Sequence, residues 1–112
     1  MKITEIVTAL ELKVVSGHNG LENEIKGGYV SDLLSDVMGN AKEGQVWITL
    51  QTHQNIIAVS SLKDLSAIII VKGFAPGTDT IEKSNIENIP VLSTELDTFN
   101  ITGRLFELLN QE

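Results

Sequence analysis

The side chains able to do chemistry in this sequence are few and scattered. Its two histidines, His18 and His53, have no HxH or HxxxH partner, so a metal site would have to recruit distant acids. There is no cysteine, which excludes disulfides, thiolate metal ligands and a thiol nucleophile. Ser16, Ser31, Ser60, Ser61 and Ser93 are present, but none lies in a Gly-x-Ser-x-Gly elbow. Ser31 and Ser93 read as a helix cap and a strand end. Asp32 and Asp36 stand four apart and read as one face of a short helix, a solvated pair of like charges.

A phosphate loop is the next chemistry to test. Gly39-Asn40-Ala41-Lys42-Glu43-Gly44-Gln45 has two glycines at the right separation, but Gln45 stands where the lysine belongs and Val46 where the Ser or Thr belongs. The missing groups are the cation for the transferred phosphate and the hydroxyl that holds Mg²⁺. The order is also reversed, because this loop leads from a helix pattern into a strand pattern. Gly39 reads as a helix stop and Gly44 as a turn. No catalytic constellation remains, so the expectation is a non-enzyme without cofactor or metal.

The elements that would position any site follow from periodicity. Ile3, Val7 and Leu10 share one helical face, with Thr4 as a cap. Leu12–Val15 reads as a short strand closed by Ser16-Gly17-His18-Asn19-Gly20. Residues 24–30 read as a second strand, with Gly27-Gly28 marking a bulge or close backbone approach. Ser31 or Asp32 caps a helix running to Met38. Val46–Gln51 is a clean strand, with Val46, Ile48 and Leu50 on one side and Trp47, Thr49 and Gln51 on the other. Over 56–65, Ala58, Val59, Leu62 and Leu65 share a helical face. Ala67–Val71 is the aliphatic run of a strand covered on both sides. Asp79 and Glu82 have capping-box spacing for a helix that Pro90 ends. Val91–Ser93 is a short strand, and Asp97 caps a last helix bearing Phe99, Phe106 and Leu109 beside Ile101, Leu105 and Leu108. Strand–helix alternation predicts one α/β domain over 1–112, a mostly parallel sheet with helices packed against it.

Composition narrows the partners. A chain of 112 residues with 42% hydrophobic residues can bury an ordinary core. Its net charge is −7, from 15 acids against 8 bases, and no Lys/Arg cluster interrupts it. Such a field opposes nucleic acid and anionic membranes. No apolar run approaches the roughly 20 residues that span a bilayer, and the start lacks a signal peptide's apolar core. A cytoplasmic protein is expected.

In a parallel sheet the loops after successive strands gather at one edge, beside helix starts whose free amides suit an anion. The candidate ligand residues are therefore Gly17, His18 and Asn19, then Thr52, His53 and Asn55, then Lys72 and Gly73, and finally Ser93 and Thr94. His53 stands out among them, just past the cleanest strand.

Gly28-Tyr29-Val30-Ser31-Asp32-Leu33-Leu34-Ser35-Asp36-Val37, with Trp47-Ile48-Thr49-Leu50-Gln51-Thr52-His53 and Thr102-Gly103-Arg104-Leu105, resembles the DRTGG domain family across nearly the whole chain. A literal Asp-Arg-Thr-Gly-Gly string is absent, the nearest fragment being Lys26-Gly27-Gly28. The resemblance implies an α/β fold similar to the N-terminal domain of HPr kinase/phosphatase. It also implies an accessory or regulatory module, a homodimer, whose serine-kinase names would be borrowed from another domain. The leading expectation is a sensory or scaffold domain that binds a small anionic metabolite or nucleotide. The alternative is a protein-interaction subunit of a hydrogenase-associated or kinase-type complex, presenting an apolar patch at Trp47 or on the Phe99/Phe106 helix.

Overall fold

The fold is seen in a computed structural model, which describes residues 1–111. Helix α1 (Ile3–Ala9) leads to strand β1 (Lys13–Ser16) and a 3-10 turn at His18–Gly20. Strand β2 (Gly27–Val30), helix α2 (Leu34–Asn40), strand β3 (Gln45–Thr49), helix α3 (Asn55–Lys63) and strand β4 (Ala67–Ile70) then alternate. Helix α4 (Thr78–Glu87), strand β5 (Val91–Ser93) and helix α5 (Thr98–Leu109) complete the chain. One five-stranded sheet runs in the order β1-β5-β4-β3-β2. Strands β2 to β5 are mutually parallel, and β1 joins β5 antiparallel.

Two cores flank this sheet. On one side Val46, Ile48, Ile69 and Leu92 meet Ile3 and Ile6 of α1 and Ile101 and Leu105 of α5. On the other, Trp47, Ile68, Ile70 and Val91 meet Val37 of α2 and Ile56, Ile57 and Val59 of α3. Strand β4 contributes to both, and every residue from Ala67 to Ile70 is fully buried, as its unbroken aliphatic run predicts.

Several local expectations are corrected. Helix α3 buries Ile56, Ile57, Val59 and Ser60 and leaves Ala58 and Leu62 outside, because two isoleucines remove more apolar area from water than an alanine does. Lys2, not Thr4, precedes α1, and Glu5 Oε2 accepts from the Lys2 amide at 2.7 Å. The α1 amides of Ile3 and Thr4 donate to Asn23 and Leu21 carbonyls, so no side-chain cap is needed there. Gly39 lies inside α2 and Gly44 (φ +82°) makes the turn into β3. Strand β2 pairs with β3 in unbroken register, so Gly27-Gly28 mark no bulge; the irregularity falls in β1, between Val14 and Ser16. Gly77 rather than Asp79 precedes α4, with no side-chain cap, whereas Asp97 caps α5 by accepting from the Asn100 amide at 2.8 Å. Trp47 is completely buried and supplies no surface patch.

The central position of β4 sets a stability expectation. Ile69→Ala, in a fully buried site between α1 and α5, should cost about 3 kcal/mol. Urea unfolding followed by circular dichroism should show a lower midpoint at an unchanged slope; a midpoint shift within error would contradict this placement of β4.

Candidate functional site

The carboxyl edge of the parallel strands is organised by a buried tryptophan. Trp47 needs a partner for its indole N–H, and the Ser31 carbonyl accepts it at 2.8 Å. That bond draws the chain leaving β2 over the end of β3. Asp32 Oδ1 then accepts from the Thr49 hydroxyl at 2.9 Å and the Leu50 amide at 2.7 Å. Gln51 Nε2 returns to the Asp32 carbonyl at 2.8 Å. Asp32 is thus a latch on β3 that precedes α2, and it does not share a helix face with Asp36. Ser31 likewise accepts from the Leu33 amide in a local turn instead of capping α2.

Asp36 has a different partner. The Tyr29 hydroxyl, projecting from β2, donates to Asp36 Oδ2 at 2.8 Å. This bond holds the Asp36 carboxyl below its usual range, helped by the Ser31 hydroxyl and the Asn40 amide. The same bond, with the nearby negative charge and partial burial, raises the Tyr29 phenol.

Beyond the latch, seven of the ten candidate ligand residues stand on this carboxyl edge, in two groups. In the first, the Thr52 carbonyl accepts from the Thr80 hydroxyl at 2.7 Å and from the Gly77 amide at 3.3 Å, tying the end of β3 to the start of α4. Thr52, His53 and Gln54 face Gly77, Thr78, Asp79 and Thr80 across a surface depression of about 310 Å³. His53 is exposed, and its Nδ1 accepts from the Asn55 amide at 3.1 Å, which serves the first turn of α3. Asn55 opens α3 and is exposed.

In the second group, the Lys72 and Gly73 amides donate to the carbonyls of Leu96 and Thr94 at 2.9 and 2.8 Å, while Thr94 N–H donates to the Ile70 carbonyl. Ser93 ends β5 opposite Ile70 and Lys13. Acids border this group. The Glu95 carboxylate lies over Gly73, where an added Cβ would stand 2.7 Å from it. Asp97 is held below the usual carboxylate range, chiefly by the Asn100 amide and side chain and further by the charge of Lys72.

Gly17, His18 and Asn19 are not in this assembly. Strand β1 is antiparallel, so the loop after it emerges at the opposite edge, beside the start of β5. The Gly17 amide donates to Asn85 Oδ1 at 2.8 Å, and Asn19 Nδ2 donates to Asn88 Oδ1 at 3.4 Å. Gly17 has φ +71°, and a Cβ there would strike the Ile89 carbonyl, so glycine is required for close packing. Sequence reading placed this loop with the others because it assumed all strands parallel. It also missed the Asp32 latch and the Tyr29–Asp36 bond; the one signal was the dense run of polar groups between Tyr29 and Asp36. Among the described residues no group of three or more His, Cys, Asp or Glu side chains is placed to hold a metal. Among the described residues, too, no helix is long and apolar enough to cross a membrane.

A family model for the DRTGG domain matches residues 5–108. The chain belongs to the DRTGG domain family. Among solved structures, this DRTGG chain is similar to the CBS and DRTGG domains of the regulatory region of Clostridium perfringens pyrophosphatase, crystallised with its activator diadenosine tetraphosphate. The TM-score is 0.71 at 21% identity, over 93% of this chain and 45% of that one. The present chain therefore spans less than half of that protein's crystallised length. No curated protein matches the chain significantly.

The Tyr29–Asp36 bond makes stability depend on pH in a defined direction. A carboxyl whose folded value lies below 3.8 stabilises the fold above that value, and the contribution disappears as pH falls through the lowered value. Asp36→Ala should therefore melt below wild type at neutral pH, with the gap closing below about pH 4. Thermal unfolding across the acid range reads this directly, and a gap independent of pH would disprove the linkage.

Proposed function

We propose that this chain is a non-catalytic regulatory domain that binds a small anionic metabolite or nucleotide at the carboxyl edge of its sheet, and that it works as a homodimer. The observation carrying the ligand reading is the start of α4. This ten-residue helix begins at Thr78 behind Gly77, which offers no side-chain cap, so its first amides are left for another acceptor. They border the depression shared with Thr52 and His53. The partial positive charge of a helix N-terminus favours an anion at such a place. Lys72, on the loop that leads into α4, supplies a cation at the same edge, while its amide and that of Gly73 are already given to the Leu96 and Thr94 carbonyls.

Family membership supports the regulatory part of this reading. The similar regulatory region from the pyrophosphatase is one that takes an activator with four phosphates, which makes a nucleotide the first ligand class to try. Catalysis finds no comparable support. The Gly39–Gln45 segment leads from α2 into β3 at the opposite edge from the depression, and it lacks the phosphate-loop lysine. A second reading, a protein-interaction subunit, is favoured by one observation: Phe99 and Phe106 of α5 are 85% and 67% exposed.

Isothermal titration with adenosine mono-, di- and triphosphate and diadenosine tetraphosphate tests the ligand reading. We expect saturable heat with at least one of them. Lys72→Ala should weaken binding about tenfold, the scale of one charge-assisted hydrogen bond. His18→Ala, at the far edge, should leave it unchanged. No heat from any of the four, or equal losses in both variants, would reject the site.

A further inference from the structure

The two edges of the sheet are not treated alike. Strand β1, at one edge, carries Lys13 and an irregularity between Val14 and Ser16, two devices that discourage further strands from pairing. Strand β2, at the other edge, carries neither: it is Gly27-Gly28-Tyr29-Val30, in regular register with β3. The Ser31 amide donates to the Ile48 carbonyl, so by strand alternation Tyr29 also faces β3. The N–H and C=O groups of Gly28 and Val30 then face outward, with no strand among the described residues to meet them.

The flank of this edge is apolar. Val30 is 43% exposed, and with Gly28, Leu105, Phe106 and Leu109 it lines a groove of about 90 Å³ between β2 and α5. The Thr102 hydroxyl in the groove wall is buried without a partner among the described residues. Gly28 itself is unexplained by the fold. Its backbone is not left-handed, and an added Cβ would meet Leu105 Cδ2 at 3.6 Å and the Val46 carbonyl at 3.7 Å, which are ordinary contacts.

We infer that the occupant of this edge is a second copy of the chain, with β2 pairing antiparallel to the partner's β2 about a two-fold axis at Tyr29. This rests on the dimeric reading above and adds where the dimer forms. The register satisfies two independent features. Gly28 and Val30 lie one residue either side of the axis, so each faces the other's counterpart in a hydrogen-bonded pair, and all the outward backbone groups are used. Val30 from one copy stands opposite Gly28 of the other, on the same sheet face, and its methyls occupy the space left beside Phe106. An isologous contact requires this self-complementarity, and the two β-sheets become one continuous sheet of ten strands.

The test uses the whole chain, by light scattering after gel filtration at about 50 µM. Wild type should run at twice its 12.2 kDa mass. Val30→Lys places an inward-facing edge charge and should weaken the dimer about a hundredfold or more, giving monomer with wild-type circular dichroism. The chain has no cysteine, so Tyr29→Cys is a clean second probe. Position 29 faces itself across the axis and should form a disulfide dimer under mild oxidation, whereas Leu62→Cys, exposed on α3, should not. A wild-type dimer that survives Val30→Lys, or that fails to cross-link through position 29, overturns this interface while leaving dimerisation standing. A monomeric wild type overturns both. Should Val30→Lys unfold the chain, the cysteine pair decides alone.

Discussion

Strand β4 has no side that can face water, and the architecture follows from that constraint. Ala67–Ile70 and Val71 are wholly buried, with Ile69 in one core and Ile68 and Ile70 in the other. Each buried isoleucine is worth about 2 to 3 kcal/mol of transfer free energy, which is lost if either face opens. Helices must therefore cover both faces, and the chain provides them in different ways. The crossovers from β2 through β5 share one hand and one direction of travel, so α2, α3 and α4 fall on the same side. The opposite side is left to α1 and α5, where Ile3 and Ile6 meet Ile101 and Leu105. That second core closes only when segments remote in sequence come together.

The same demand for burial organises the polar edge. Trp47 is buried to complete the core under α2 and α3, and burial obliges its N–H to find an acceptor. The Ser31 carbonyl answers it, and that choice fixes where Asp32, Thr49, Leu50 and Gln51 meet. Each such bond contributes only about 1 kcal/mol net, but leaving a buried partner unmet costs about 1 to 3. The geometry is enforced more by the penalty than by the gain. Loops carrying Thr52, His53 and Lys72 therefore leave a rigid strand end, as a recognition site requires.

How far this was legible follows from the range of each signal. Burial on two faces is written locally in Ala67–Val71, and alternation is written locally in Val46–Gln51, so both strands could be read directly. Asp97 also sits next to the helix it caps. Strand direction is not local. Nothing within Lys13–Ser16 states that it runs against β5, and that single sign sends Gly17, His18 and Asn19 to the far edge. The start of α4 was misread for a related reason: Asp79 and Glu82 have capping spacing, but the helix begins one residue earlier, at Thr78, where Gly77 is tied to Thr52 across the sheet. The face of α3 failed because spacing put Ala58, Val59, Leu62 and Leu65 on one side, whereas the bulk of Ile56 and Ile57 decides what the helix buries. In each case tertiary contact overrode a correct local preference.

Two facts about β2 pull against a solitary role for its edge. Glycine inside a strand costs roughly 0.5 to 1 kcal/mol in lost chain entropy and packing, and at Gly28 neither φ nor space within the chain repays it. A net charge of −7 adds a general opposition to self-association, since like fields repel. Any contact between copies must then sit where charge is locally balanced. The groove between β2 and α5 meets that condition, because Val30, Leu105, Phe106 and Leu109 line it and no charged side chain does. Elsewhere acids outnumber bases, and most of the exposed surface would repel its copy. The cost of Gly28 and the local neutrality thus point to the same strip of surface, and they do so from unrelated physics: one from backbone entropy, the other from electrostatics.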